Sequence, residues 1–224
     1  MLDRKVSARP SVLPPLPTLI EVEPPNNQPA ALLGDKVTVL GFNLTGVTSV
    51  LLKNSRLGVP RLGVQQPITT LTNAGASLFQ FTVNIAPSAL PAGVYTLSAQ
   101  MSSLSGIIET NSLPLMIAPQ ITLWPSSVTP DAQGNAKVNV TCSPFVWPGQ
   151  EVYLLIGGQA APADAFPAPG GTPTPTGTPS FTFSSLKPTA TPMPLRLRVD
   201  GIDSPIINMT ASPPIFTGPS VEVS

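Results

Sequence analysis

The sequence predicts an all-β chain, two tandem β-sandwiches behind a proline-rich lead, and three observations carry that reading. First, 30 prolines and 17 glycines punctuate 224 residues. Proline lacks the N–H and clashes with the preceding helical turn, which leaves little room for a helix of about ten residues. Second, 42% of residues are hydrophobic and only 10% charged, enough apolar material for cores in a chain long enough for two domains of roughly 100 residues each. Third, short apolar runs recur between Gly, Pro and Asn, and several of them alternate with period two.

Residues 1–16 carry Arg4, Lys5 and Arg9 and then enter a stretch with Pro10, Pro14, Pro15 and Pro17. Closely spaced prolines favour extended backbone, so this segment is read as a proline-rich linker or as an arm that packs back on the first domain. That domain is placed at 17–118, with strands at 18–23, 35–41, 47–53, 62–65, 77–83, 93–101 and 113–117. Its best-defined part runs from Gly34 to Gly46: a turn, a strand with Val37, Val39 and Gly41 on one face and Thr38 and Leu40 on the other, and a second turn. In 77–83, Phe79, Phe81 and Val83 oppose Leu78, Gln80 and Thr82, so the Phe face is expected to be the core. The turn Leu90-Pro91-Ala92-Gly93 leads to Tyr95. That residue either buries its ring with the hydroxyl on a nearby backbone carbonyl, as in a tyrosine corner, or stacks on a ligand.

The second domain is placed at 119–224, with strands at 120–123, 135–142, 150–156, 180–184, 193–199 and 220–223. Residues 157–179, with six prolines from Pro162 to Pro179, are read as one long loop within it. An interdomain linker there would leave only about 45 residues for a following core. The common order of elements suggests that the halves are a diverged tandem repeat.

Composition narrows function. Basic and acidic residues both total 11, which gives no footprint for a polyanion, so neither nucleic acid nor a charged membrane is an expected partner. No apolar run approaches the roughly 20 residues that cross a bilayer as a helix, and residues 1–17 lack a signal-peptide core, so neither anchoring nor export by the general secretory route is expected. Histidine is absent, which removes Ser/His/Asp and Cys/His arrangements and imidazole metal ligands. The lone Cys142 sits in a strand-like setting and reads as a small buried hydrophobe.

No set of residues reads as catalytic, cofactor-binding or metal-binding. Glu21 with Glu23, and Asp200 with Asp203, are the nearest acidic pairs, and Asp200-Gly201 reads as a turn. Sequons at Asn43, Asn139 and Asn208 are taken as chance. Lys53, Arg56 and Arg61 form a small basic cluster, read as a solvated loop guarding an edge strand, with docking of an acidic partner as the alternative. Trp124 and Trp147 each precede a proline; they are assigned to packing at the seam between domains, with a carbohydrate-stacking platform as the alternative.

Two sets of residues resemble known families. Ile20-Glu21-Val22-Glu23-Pro24, the run Gly34 to Gly46, Ala92-Gly93-Val94-Tyr95-Thr96-Leu97 and Thr110-Asn111-Ser112-Leu113-Pro114-Leu115-Met116-Ile117 resemble the opening and closing strands of an IPT/TIG-type immunoglobulin-like domain. Leu195-Arg196-Leu197-Arg198-Val199-Asp200-Gly201-Ile202-Asp203-Ser204-Pro205, followed by Pro213-Pro214-Ile215-Phe216-Thr217-Gly218-Pro219, resembles the C-terminal end of the cap, or tube-terminator, proteins of phage-tail-like contractile injection systems. That resemblance implies a non-enzymatic structural protein acting through protein–protein contacts at the particle's cap, assembled in the bacterial cytoplasm on a particle that can be released. It also implies a ring-shaped homo-oligomer formed through an N-terminal terminator domain that this sequence does not contain. The competing reading is a glycan- or surface-binding adhesin-type module.

Overall fold

A computed structural model describes residues 16–56, 64–103, 106–164 and 174–224. The lead 1–15, Arg61 and, from the expected long loop, Pro167, Pro169 and Pro173 lie outside these. Among the described residues nearly all regular structure is β, with one 3-10 turn at Pro25–Asn27.

Among the described residues of the N-terminal half, nine strands form: β1 Thr18–Glu23, β2 Lys36–Phe42, β3 Val47–Asn54, β4 Val64–Ile68, β5 Leu71–Thr72, β6 Leu78–Thr82, β7 Gly93–Ser103, β8 Gly106–Glu109 and β9 Leu113–Ile117. They build one sheet in the order β1-β2-β6-β5 and a second in the order β4-β3-β7-β8, with β9 also on β7. The inward faces follow the alternation: Val37 and Val39, Phe79 and Phe81 from the first sheet meet Val50, Leu52, Tyr95, Leu97 and Ile117 from the second in one core. The expected strands appear with ends shifted by a few residues, except that positions 62 and 63 of the expected 62–65 strand lie outside the described residues. β5 and β8 carry too few alternating residues to register as strands on their own.

Gly41 explains why the stretch around it tolerates so little. It pairs with Leu19 across the β1–β2 ladder, and an added Cβ would collide with the Thr18 carbonyl oxygen, with Leu44 Cδ1 at 3.0 Å behind it. Gly41→Ala is therefore expected to push β1 off β2 and cost about 1–3 kcal/mol, as overpacking does. Chemical denaturation checks this, and an unchanged midpoint would show that β1 does not pack as described.

The C-terminal half forms β10 Gln120–Leu123, β11 Ser127–Val128, β12 Ala136–Asn139, β13 Thr141–Ser143, β14 Val152–Ile156, β15 Gln159–Pro162, β16 Ser180–Phe183, β17 Met193–Val199, β18 Ile202–Asp203, β19 Ile207–Asn208, β20 Ile215–Phe216 and β21 Ser220–Val223. The order β11-β21-β17-β14-β15 makes one layer, and the β10-β13 and β12-β16 pairs make the other. Val138, Cys142, Phe181 and Phe183 from the latter pack on Leu154, Ile156, Leu197 and Val221 from the former.

Two expectations are corrected here. The strand at 135–142 is divided into β12 and β13 at Val140, which donates its N–H to Pro179 O at 3.3 Å in the same register as the β12–β16 pair while the proline has no N–H to return; β12 pairs with β16 and β13 with β10. The supposed loop 157–179 begins with a strand: β15 returns along β14, and Ala163 and Thr176 make bridges to Phe181 and Val146. Ala160, Ala161 and Pro162 give no alternating signal because β15 is a short edge strand.

Strand pairing supports the tandem-repeat reading. The ladders β1-β2-β6 and β4-β3-β7-β9 of the first half correspond to β10-β13, β12-β16 and β15-β14-β17-β21 of the second. Each half also has a parallel contact onto its last strand, a bridge from Ala31 to Ile117 in the first and the β11–β21 pair in the second. Two packed sheets with this pairing are the architecture of immunoglobulin-like sandwiches. No ladder joins the two sets of strands among the described residues.

Candidate functional site

The residues singled out in the sequence mostly turn out to hold the fold together. Tyr95 is fully buried and donates its hydroxyl to Pro91 O at 2.7 Å, the tyrosine corner; burial and the Asp200 carboxylate push its phenol above the usual range. Cys142 is buried, and burial raises its thiol to about 12. Because the thiolate is the nucleophile, the native thiol is expected to resist a disulfide reagent at neutral pH and to react stoichiometrically in denaturant. Fast reaction of the folded protein would contradict the packing. The basic cluster is not simply solvated: Lys53 pairs with Glu109 at 2.9 Å, and Arg56 reaches Asp200 at 3.7 Å. Ser98 and Lys53 donate to Glu109 and lower its carboxyl from the ordinary value. Among the described residues no group of three or more acidic or cysteine side chains could hold a metal ion, and no helix is long and apolar enough to cross a membrane.

The run 195–205 has a structural role at almost every position. Asp200 (φ 49) and Gly201 (φ 83) form a two-residue turn with positive φ at both positions, between the facing pair Val199 and Ile202. This is the geometry that Asp-Gly favours in a type I′ hairpin. Arg198 grips Asp203 with both Nε and Nη2, at 2.6 and 2.9 Å, and Arg196 adds a contact at 3.1 Å. Buried Ser204 Oγ accepts the Leu197 N–H at 3.0 Å.

Asp200 also organises the seam between the halves. Its side chain is 6% exposed and accepts from Gln150 Nε2 at 2.9 Å and from the Glu151 N–H at 3.1 Å. Gln150 Nε2 also donates to Ala92 O of the first half at 2.8 Å, while its Oε1 accepts the Trp147 N–H at 2.8 Å. The Phe145 N–H donates to Pro87 O at 2.9 Å. Ala30, Ala118 and Ile202 close a small apolar cluster with Leu32 and Met116. Trp147 packs against the first-half core, as expected for a seam residue. Its Nε1 is buried without a hydrogen-bond partner among the described residues.

Two surface features remain. The β19–β20 hairpin pairs with no other strand among the described residues and leaves Ile207, Met209, Ile215 and Phe216 exposed, Phe216 by 48%. Ile207 and Met209 border a cavity of about 210 Å³ that reaches Pro29, Ala30 and Ala118 of the other half. Separately, Trp124 lies away from the seam, which corrects the sequence assignment: its Nε1 donates to Ser220 O at 3.0 Å, and it lines a cleft of about 520 Å³. The two tryptophans thus do not form one platform. The contact with Ser220, a residue 96 positions away, leaves no signature in local sequence.

Comparison with known proteins adds little beyond this. A family profile described as "Domain of unknown function (DUF8756)" matches residues 119–223. No curated protein matches the sequence. Among solved structures, the chain is similar to SGBP-B from a complex xyloglucan utilization locus in Bacteroides uniformis, with 14% identity, 91% of this chain and 49% of that chain covered, and a TM-score of 0.33. It therefore spans about half the length of that protein. The fibronectin(III)-like modules of Clostridium thermocellum CbhA give 15% identity, 91% and 93% coverage, and a TM-score of 0.25. Chimeric titin Z1Z2 gives 12% identity, 93% and 96% coverage, and a TM-score of 0.25. Likeness at this level does not bear on function.

Proposed function

We propose that this chain is a non-enzymatic structural module, two immunoglobulin-like domains at about 17–118 and 119–224, that acts through protein–protein contacts at the cap of a contractile injection particle. The sequence resemblance of residues 195–205 and 213–219 supports the cap assignment. The observation that supports docking is the β19–β20 hairpin, which pairs with no other strand among the described residues, has its second strand within the run 213–219, and leaves Ile207, Met209, Ile215 and Phe216 about half exposed. Ile207 and Phe216 face each other across the hairpin and share one face, which offers an apolar contact surface. The Arg198–Asp203 fork and the Asp200 turn fix the neighbouring strand, so the hairpin projects from a rigid base. Partners in this reading are other proteins of the particle, and assembly takes place in the bacterial cytoplasm.

The hairpin is tested by Ile215→Asp and Phe216→Asp, whose side chains are half exposed and outside the cores. Both variants should fold with unchanged melting temperature yet be lost from purified particles. Normal incorporation of both would remove the hairpin as the docking surface.

A further inference from the structure

We propose that the cleft beside Trp124 is a binding site for a neutral saccharide, a role independent of the cap assignment. The cleft opens over the outer face of the run 137–141, where Lys137, Asn139 and Thr141 alternate with the core residues Val138, Val140 and Cys142. The Trp124-Pro125 corner forms one wall and Lys137, Asn139 and Thr141 another. The indole is 39% exposed and Leu123 next to it 67% exposed, while the bond from Trp124 Nε1 to Ser220 O fixes the ring orientation. An immobilised aromatic face open to solvent offers a stacking surface at low entropic cost.

Polar groups with spare capacity surround that face. The side chains of Ser127, Asn139, Thr141 and Thr178 line the cleft, and none of them donates or accepts a side-chain hydrogen bond among the described residues. An amide supplies both donor and acceptor, and hydroxyls supply either, which matches the vicinal hydroxyls of a pyranose. Among the described residues no carboxylate lines the cleft. Its one cation among the described residues, Lys137, is paired with Asp164 at 3.6 Å. This balance favours an uncharged ligand over a uronic acid, a phosphate or an acidic peptide. At about 520 Å³ the cleft falls within the usual size range of small-molecule sites.

The test uses the full chain carrying Trp147→Phe, so that indole fluorescence reports on Trp124 alone. Cellohexaose, xylohexaose, mannohexaose, chitohexaose and maltohexaose are titrated separately, with a proline-rich decapeptide as the competing ligand class. The expected result is a saturable change with at least one oligosaccharide, followed by isothermal calorimetry showing binding about tenfold weaker in Trp124→Ala and weakened in Asn139→Ala. Far-ultraviolet circular dichroism verifies that both variants fold. Three outcomes would each overturn the proposal: no response to any of the sugars, calorimetric affinity unchanged in folded Trp124→Ala, or saturation by the peptide in place of the sugars.

Discussion

Phe81→Ala is expected to destabilise the N-terminal half by ~3–5 kcal/mol, the range for emptying a large aromatic site in a packed core. Phe81 is completely buried. It faces Val37 on one neighbouring strand and Leu71 on the other, and the core it enters is closed from the opposite sheet by Tyr95 and Leu97. Both sides of the sandwich thus contact the ring, and strands tied into ladders relax little into the space it leaves, so transfer and cavity costs add. Urea denaturation of the N-terminal half measures the loss. Phe42→Ala is the control, because Phe42 lies in the adjacent strand but is 61% exposed; its effect should stay within about 0.5 kcal/mol, as for other surface changes. A cost below about 1 kcal/mol for Phe81→Ala would mean that its face is not the core.

Asp200→Ala should produce the second large effect, about 2–3 kcal/mol, by leaving donors without an acceptor at the seam. Removing the carboxylate strips the partner from one Gln150 N–H and from the Glu151 N–H. It also places alanine at φ 49, a conformation that Asp and Asn tolerate better. Gln150 is then held only through Ala92 O and the Trp147 N–H, so the two sandwiches should change their relative orientation more freely. Arg56→Ala separates the contributions. That side chain is 69% exposed where it meets Asp200, and an exposed ion-pair partner contributes little. Denaturant midpoints and residual dipolar couplings of the two halves give the readouts. Equal, small effects of the two substitutions would show that the carboxylate does not hold the seam.

Alternation and punctuation encode a good part of this fold. The Phe79 and Phe81 face, the strand carrying Val37 and Val39, the Tyr95 corner and the Asp200-Gly201 turn are all legible in the sequence, because each is set by local spacing or by a residue suited to one backbone conformation. Features decided by distant partners are not legible. Val140 looks like any strand residue, and the residue opposite it in the ladder, Pro179, which has no N–H to return, is distant in sequence; the edge strand β15 hides among alanine and proline. Tryptophan before proline at a domain start suggests packing at the seam, whereas the contact of Trp124 lies at the far end of the chain, on Ser220. The hydrogen bonds that make Asp200 central come from Gln150 and Glu151, some 50 positions away. At sequence level Asp200 shows only its role in the turn.

The most direct measurement of the cap proposal is electron cryo-microscopy of contractile injection particles purified from the organism that produces this chain. The account predicts density at the cap that fits two immunoglobulin-like sandwiches, with the hairpin at Ile207–Asn208 and Ile215–Phe216 buried against a neighbouring protein. Intact particles whose caps lack this chain would contradict it.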